Sequence, residues 1–339
     1  MILKKSVTIY MCVILIPLFE LSAKAQEFIW DAGVNGFFDN REYFNDYVEP
    51  QTMFGIRPFG TIGLRISDYY QISFGLDVLY EFGGAIDKDN LKPIIYFQFK
   101  KEPLNLIFGS SPRKDLINLP NVLQTDTFNY YRPNIEGIFL EFRKPWGFQN
   151  IWLDWTSRQT DVDRETFLIG GTGMLKKSIF YYKHDFIMTH FAGPSIPIPD
   201  DHLRDNGGLY AGVGIYHPRK SLDSLSFSIG YTMSYDRLRN VYDLYFRNGS
   251  LTELYFQYRG FGIKSALYLG EGQVQMVGDG LYAAKFYNRN DLFWKIFRKD
   301  CIEGKVEFSL HILKDLIDVS QSLTLYVKIG GGKKFKPGY

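Results

Sequence analysis

The chain has 339 residues, with 39 Lys and Arg against 37 Asp and Glu, which gives a formal net charge of +2. This nearly equal number of basic and acidic residues predicts neither a nucleic-acid partner nor a bulk preference for cations or anions. Aromatic residues make up 17% of the chain, more than a soluble core needs and typical of a protein whose amphipathic rings lie at a membrane interface.

The N-terminus has the parts of an export signal. Two lysines at positions 4 and 5 precede an apolar run over residues 7–21, and Ala-Lys-Ala follows at 23–25. We therefore predict a signal peptide over residues 1–25 that is cleaved before Gln26. The apolar run is too short to cross a bilayer as a helix, and no later segment of the sequence reaches 18 consecutive apolar residues.

Apolar and polar residues alternate along most of the sequence after Gln26. The alternation is clearest over residues 69–83, where every second residue from Tyr70 to Phe82 is apolar and the other set includes Asp77 and Glu81. A period of two puts alternate side chains on opposite faces of a strand. This segment is therefore predicted to be a strand with one face in lipid and the other in water.

The same pattern predicts about sixteen strands. In chain order they cover residues 28–38, 52–66, 69–83, 93–101, 104–110, 134–143, 148–157, 165–172, 178–191, 208–216, 225–235, 251–258, 261–269, 281–297, 305–312 and 322–329. Short turns alternate with longer loops, as in outer-membrane barrels. Because an open sheet edge would leave backbone groups without partners in lipid, the sheet must close. We predict an all-β fold, a single transmembrane antiparallel β-barrel of 14–18 strands over residues 26–339, with short periplasmic turns and longer extracellular loops.

The mature chain resembles porin-type outer-membrane β-barrels. The stretches DWTSRQT (154–160), HDFIMTH (184–190) and DDHLRDNGG (200–208) are similar to a porin-like group of Bacteroidota. The resemblance implies a location in the outer membrane of a Gram-negative bacterium, in contact with outer-membrane lipid and lipopolysaccharide. It also implies a homo-oligomer or other outer-membrane proteins as partners. The aromatic Tyr339 fits a barrel terminus, whereas the preceding Lys-Pro-Gly departs from a strand ending.

Charged and polar residues on the inward faces are the predicted lumen and constriction residues. This set consists of Arg57, Arg65, Asp77, Glu81, Asp154, Thr156, Arg158, Arg164 and Glu165. They predict either a charged constriction that selects solutes or an internal ladder of salt bridges that stiffens the wall. The longest loop, 111–133, is unusually apolar for a connection in water. It is predicted to fold into the lumen and narrow it, or to dock onto a partner.

Metal binding and catalysis have weaker signals. His190, Asp201 and His202 approach one predicted extracellular loop and are the candidate ligands for a metal ion, although no spacing such as HExxH makes them converge, and no cofactor is predicted. The sequence contains no G-x-S-x-G motif and no nucleotide-binding loop. Scattered Ser and His residues do not identify a triad, which only geometry can show. We therefore predict that the protein is not an enzyme.

Two functions follow from these observations. The first is a porin-like channel for passive diffusion of small hydrophilic solutes, favoured by the inward Ser, Thr and Gly residues of strand 225–235. The alternative is a non-conducting accessory barrel, with a plugged lumen, that serves as a subunit of a larger outer-membrane complex.

Overall fold

The computed structural model describes residues 26–196, 198, 201–217, 224–299 and 301–332. The predicted signal peptide and the C-terminal Tyr339 lie outside the described residues. The strands are β1 Gln26–Glu42, β2 Gln51–Ile66, β3 Tyr70–Val78, β4 Tyr80–Glu81, β5 Leu91–Lys101, β6 Leu104–Pro112, β7 Asn134–Lys144, β8 Gly147–Ser157, β9 Thr166–Lys177, β10 Phe180–Phe191, β11 Arg204–Tyr216, β12 Ser224–Leu238, β13 Tyr242–Tyr258, β14 Phe261–Gly270, β15 Phe286–Lys299, β16 Ile302–Leu313 and β17 Ile317–Gly331.

Within the described ranges, helix is confined to a short α-helix, α1 (Phe128–Tyr131), and 3₁₀ turns at Lys88–Asn90 and Gly280–Ala283. Among the described residues, no helix has the length and hydropathy needed to cross a membrane.

All strands belong to one antiparallel sheet that closes on itself. β1 pairs with β2 on one side and with β17 on the other, and the remaining strands pair with their neighbours in sequence. β3 and β4 are two parts of one barrel strand interrupted at Leu79, because β2 pairs with both. The barrel therefore has sixteen strands, and the fold class predicted from the alternation is confirmed.

The two faces of each strand separate as the sequence predicts. On β3, Phe74 and Leu76 are about half exposed on the outer wall, whereas Ser73 and Asp77 are buried inside the barrel. The connections 102–103, 145–146, 178–179 and 259–260 lie at one end of the barrel, and the long connections 113–133, 192–203 and 271–285 lie at the other. The long connections mark the extracellular end.

Several predicted strand boundaries are wrong, including those around 236–249 and at 281. Residues 236–249 are mostly strand, with a turn at 239–241, because β12 and β13 remain paired as far as Leu238 and Tyr242. The predicted strand 281–297 begins at Phe286 instead. Leu281 leaves the wall and is fully buried in the lumen, and the Asp279 carboxylate accepts a hydrogen bond from its backbone N–H at 3.1 Å.

Two extracellular connections, 113–133 and 271–285, fold into the barrel together and are called the plug below. Thr125 N–H donates to the Val277 carbonyl and Asp279 N–H to the Asn121 carbonyl, both at 2.8 Å. Leu123 of the plug is fully buried. The apolar loop predicted over 111–133 therefore lies in the lumen, together with a second segment that the sequence did not single out.

The plug fills one half of the lumen, where the wall is apolar. Plug residues pack there against inward side chains of β7–β14, a cluster that includes Phe139, Trp152, Leu168, Ile187, Tyr210, Leu251 and Tyr268. Gly170 makes room for this packing, because a Cβ at that position would come within 2.2 Å of the Trp152 ring. The other half of the lumen is left for polar side chains.

Candidate functional site

The polar half of the lumen holds a cavity of about 670 Å³. Most of its wall comes from β1–β3 and β15–β17, and plug residues form the opposite side. β17 supplies Ser320, Ser322, Thr324, Tyr326 and Lys328 to this wall. Residues of opposite parity on the same strand, such as Leu323 and Ile329, are about half exposed on the lipid side.

A serine and a histidine are hydrogen-bonded at the wall of this cavity. His311 Nε2 lies 2.9 Å from Ser320 Oγ, and His311 Nδ1 lies 2.7 Å from the Tyr287 hydroxyl. All three side chains are buried. In the tautomer that carries its proton on Nδ1, Nδ1 donates to the Tyr287 oxygen and Nε2 accepts from the Ser320 hydroxyl. A nucleophile, a base and a group that orients the base therefore stand in line.

Strand register brings these residues together. The tight turn between β16 and β17 sets His311 opposite Asp318, and Ser320 opposite Ser309. On the two strands that flank this hairpin, Arg289 of β15 is opposite His311 and Arg41 of β1 is opposite Ser320. Since paired residues project to the same face of a sheet, Arg41 faces the cavity beside Ser320.

The segment 43–50, called the roof below, lies at the extracellular end of the cavity and contacts His311 and Asp318. The Tyr43 hydroxyl lies 3.3 Å from His311 Nε2. The Asp318 carboxylate accepts hydrogen bonds from the Phe44 backbone N–H at 2.8 Å and from the Asn45 side-chain amide at 2.6 Å. The hydroxyl and imidazole of the Ser–His pair thus lie directly below a fixed roof.

Solvent reaches the cavity at its periplasmic end. Glu303 and Lys328 line this end, and their side chains are 53% and 44% exposed. Lys114 of the plug reaches down to Glu303, with 3.4 Å between Nζ and Oε2. The exposed fraction falls to 1% at His311, so the cavity runs from the periplasmic mouth up to the Ser–His pair.

Arg289 ties the plug to the polar wall. Its guanidinium contacts Asp126 of the plug at 2.8 Å, Asp291 at 2.6 Å and Glu307 at 3.6 Å. Burial acts to raise the pKa of the Asp126 carboxyl, but Arg289 and Lys264 outweigh it and hold that pKa below its ordinary value. Asp126 is therefore a carboxylate at neutral pH, paired with Arg289 across the cavity.

Asp279, the other plug carboxyl near Arg289, has the opposite shift. Burial raises the pKa of the Asp279 carboxyl above its ordinary value. Arg289, 4.0 Å away, lowers that pKa, but by less than burial raises it.

The predicted lumen residues of the early strands lie in ion pairs and hydrogen bonds. Arg57 Nε donates to Asp77 at 2.8 Å, and Arg57 Nη1 donates to the Tyr130 carbonyl of the plug at 2.7 Å. Glu81 accepts a hydrogen bond from the Tyr131 hydroxyl at 2.8 Å. Arg65 lies 3.7 Å from Glu27. Arg57 and Asp77 border the cavity.

On β8 the structure separates two residues that were expected on one face. Asp154 is buried and forms an ion pair with Arg113 of the plug. A register shift between Trp155 and Ser157 interrupts the alternation, and Arg158 is exposed beyond the end of the strand. The inward placement of Arg158 assumed an unbroken period of two, and the bulge removes that assumption.

The other predicted residues near this rim contact the loops. The Thr156 hydroxyl donates to the Thr166 carbonyl at 3.0 Å. Arg164 forms an ion pair with Asp201 of the next loop. Glu165 is partly exposed, and its backbone carbonyl accepts from Ala192 N–H at 2.9 Å.

The candidate metal ligands have other contacts. His190 Nδ1 lies 2.7 Å from Asp205 Oδ1 on the outer wall, where its ring is 5.0 Å from that of Phe167. Asp201 forms an ion pair with Arg164, and His202, the next residue, is partly buried. In the described ranges, no three His, Cys, Asp or Glu side chains are grouped as metal ligands would be. A metal here stays a prediction.

Sequence reasoning missed Ser320, His311 and Tyr287. The predicted strands ended at residue 312 and resumed at 322, so Ser320 fell in a loop and Tyr287 was not placed on the inward face. If the turn between these two strands is taken as shorter, His311 and Ser320 share the inward parity of Ser309 and Ser322. That shared parity is the sequence signal for the Ser–His pair.

Comparison with solved structures identifies the architecture. A loop L8 deletion mutant of OmpT, an outer membrane protein of Vibrio cholerae, is similar with a TM-score of 0.56 and 6% identity, covering 90% of this chain and 100% of that one. An anion-selective porin from Comamonas acidovorans is similar with a TM-score of 0.53 and 8% identity, covering 90% and 99%. These likenesses are of fold: the chain closes into a barrel like those of these outer-membrane proteins. Curated proteins gave no match.

A family model described as Lipid A 3'-O-deacylase-type matches residues 22–330. That description is of an enzyme activity, so the prediction that the protein is not an enzyme is wrong. The absence of G-x-S-x-G was a poor guide, because that motif belongs to a strand-to-helix turn and this fold has almost no helix. The chain belongs to the Lipid A 3'-O-deacylase-type family.

Proposed function

We propose that this protein is an outer-membrane hydrolase of an O-acyl ester, with Ser320 as nucleophile and His311 as base. The observation that carries the proposal is the 2.9 Å contact between Ser320 Oγ and His311 Nε2 at the wall of the lumen cavity. The family description supports the reaction type, since O-deacylation is the cleavage of an acyl ester.

The chemistry requires two steps. Ser320 Oγ attacks the acyl carbonyl while its proton passes to His311 Nε2, and the tetrahedral intermediate then expels the alcohol, which takes that proton. Water next attacks the acyl group on Ser320, with His311 again accepting and returning a proton, and the carboxylic acid leaves. The sum is ester plus water to acid plus alcohol.

Two neighbours have supporting roles in this proposal. The Tyr287 hydroxyl is a positioning group, because its contact with Nδ1 fixes the imidazole with Nε2 towards Ser320. Arg41 faces the cavity opposite Ser320 and is held by Asp39 at 2.8 Å. A fixed cation beside the nucleophile would stabilise the negative charge that develops on the carbonyl oxygen.

Hydrolysis by purified full-length protein in detergent micelles tests the proposal. We expect Ser320→Ala and His311→Gln each to lower the rate on p-nitrophenyl butyrate by at least about 100-fold, as loss of a nucleophile or base does. Ser320→Ala removes one hydroxyl and leaves the His311–Tyr287 contact in place. Purified lipopolysaccharide is the second substrate, with released fatty acid measured by mass spectrometry.

His190→Gln is the matched control, because His190 is also paired with a partner at 2.7 Å but lies on the outer wall. It should retain the wild-type rate. If Ser320→Ala kept full hydrolysis and His190→Gln lost it, the active site would lie on the outer wall and the proposal would be wrong. If the wild-type protein hydrolysed neither substrate, the proposal would be wrong.

Passive diffusion of small hydrophilic solutes is the second candidate function, and the polar cavity that runs from the periplasmic mouth favours it. The roof and plug lie across the path, so a wild-type barrel in a planar bilayer should conduct weakly. Deleting residues 116–125 from the plug should raise the single-channel conductance several-fold. An electrically silent deletion variant would contradict a channel, and silence together with a stoichiometric co-purifying protein would support the accessory-barrel alternative.

A further inference from the structure

An apolar strip on the outer wall of β16 leads to the rim of the barrel above the Ser–His pair. We propose that a lipid of the outer leaflet brings its ester to Ser320 along this strip and over the turn between β16 and β17, and that the roof is a lid that opens to admit it. This inference rests on the proposed function and adds the partner and the route of entry for the same site.

The strip differs from the outer wall on both sides of it, which is polar. It consists of Phe308, Leu310, Ile312 and Ile317. These residues have the parity opposite to that of the Ser–His pair and so face lipid. Beside the strip, β15 presents Asn288 and Asn290, and on the other side Gln321 of β17 is hydrogen-bonded to Asn40 of β1 at 2.9 Å. Polar side chains on the outer wall of a barrel mark the level of the lipid headgroups, so the apolar surface of β16 continues through that level.

The rim of the barrel is low where the strip reaches it. The turn between β16 and β17 has three residues, 314–316, and Asp318, the first inward residue of β17, is already buried. On the β12–β13 hairpin, by contrast, Tyr242–Asn248 are all exposed, so that part of the wall projects beyond the barrel. Ser320 follows Leu316 by four residues, which at about 3.3 Å per residue and a strand tilt near about 40° puts it roughly 10 Å below the turn. One leaflet of the hydrocarbon core is about 15 Å thick, so an extended acyl chain is long enough to reach Ser320 from the rim.

Two large apolar side chains are exposed at the top of the strip. Ile317 is 61% exposed at the start of β17, and Phe44 of the roof is 78% exposed. The Phe44 backbone N–H donates to the carboxylate of Asp318, the residue after Ile317, at 2.8 Å, so the two apolar residues lie at the same place on the rim. An exposed apolar pair that continues a lipid-facing strip suits an acyl chain, because both the pair and the chain lose contact with water when they meet.

The roof is built as a unit that can open. It contains a turn of its own, because Asn45 Oδ1 accepts from two backbone N–H groups of the same segment, at 2.7 and 3.0 Å. It is tied to the β16–β17 hairpin by two hydrogen bonds to Asp318 and by the contact between Tyr43 and His311. Breaking these contacts lets the turn move as one piece and uncovers Ser320 at the low part of the rim.

Two substrates, given to the full-length barrel in detergent micelles, separate this route from the chemistry. Lipopolysaccharide uses the strip, whereas p-nitrophenyl butyrate is small and water-soluble and reaches Ser320 from the periplasmic mouth. We expect Phe44→Ser and Ile317→Ser each to lower kcat/KM on lipopolysaccharide by about tenfold, as loss of apolar contact with a substrate does. Both variants should leave butyrate hydrolysis unchanged. Val162→Ser is the matched control, because Val162 is 79% exposed in the connection between β8 and β9; it should leave both rates unchanged.

Locking the roof tests the lid directly. Asn45→Cys with Asp318→Cys, in a Cys301→Ser background, replaces a 2.6 Å contact between side chains with two thiols that oxidation can join. If the thiols do not pair, a short bis-methanethiosulfonate reagent joins them and is also released by reduction. We expect the locked protein to lose lipopolysaccharide hydrolysis and to regain it on reduction, while butyrate hydrolysis continues in both states.

The outcomes distinguish this inference from the proposed function. Lipopolysaccharide hydrolysis that ignores the lock and both rim substitutions, while Ser320-dependent butyrate hydrolysis persists, would overturn the inference and leave the proposed hydrolase standing. Equal loss of both substrates in the locked protein would do the same, since the roof would then act on the Ser–His pair rather than on entry. Absence of any Ser320-dependent hydrolysis would overturn both.

Discussion

Arg113→Ala is expected to destabilise the barrel by about 3–5 kcal/mol, the usual result of removing one partner from a buried ion pair. The Arg113 and Asp154 side chains are each only 2% exposed. Asp154 also accepts the Glu136 backbone N–H at 2.9 Å, so its carboxylate cannot turn towards water when the guanidinium is lost. The same change removes the contact that fixes the start of plug segment 113–133 to the wall.

Reversible urea unfolding in lipid vesicles, followed by tryptophan fluorescence, measures this effect. The matched control is Arg132→Ala at the other end of the segment, where an exposed guanidinium makes a 3.3 Å contact with the Thr156 carbonyl; it should change stability by less than about 0.5 kcal/mol. Arg113→Met with Asp154→Leu should recover most of the loss, since no charge is left unpaired. Equal losses in Arg113→Ala and Arg132→Ala would show that the pair does not hold the plug.

Leu76→Arg is expected to cost about 2–4 kcal/mol, because it puts a charge on the lipid face of a barrel strand. Leu76 lies between Gly60 and Pro93 on the outer wall and is 42% exposed. The same unfolding assay, together with loss of heat-modifiable migration in detergent gels, measures the effect.

A charge introduced on the cavity side provides the comparison. Ser322→Arg should be tolerated, since that side chain enters the polar cavity next to the Glu307 carboxylate. If both arginines cost the same, the assignment of lipid and lumen faces is wrong. Asp77→Asn, although Asp77 is the inward neighbour of Leu76 on the same strand, is not a suitable control. Asp77 is the partner of the buried Arg57, so its loss leaves that charge uncompensated.

The alternation of residues by itself determined the barrel. Period two is local, because each side chain's face depends only on its parity along the strand, and closure follows from the cost of unpaired backbone in lipid. The outward Leu76 and the inward Asp77 and Asp154 were therefore predictable. Where one bulge breaks the parity, as before Arg158, the prediction ends.

Only the tertiary structure decided what fills the barrel and which side chains meet there. Asp126 and Arg289 are 163 positions apart. The plug that carries Asp126 is built from two loops, and nothing in either loop sequence indicates that it packs against the other. The Ser–His pair depends on a turn of three residues at 314–316, since a shift of one residue would turn Ser320 towards lipid. Local pattern fixes the face of a strand, whereas contacts across the lumen depend on register and loop packing summed over the whole closed sheet.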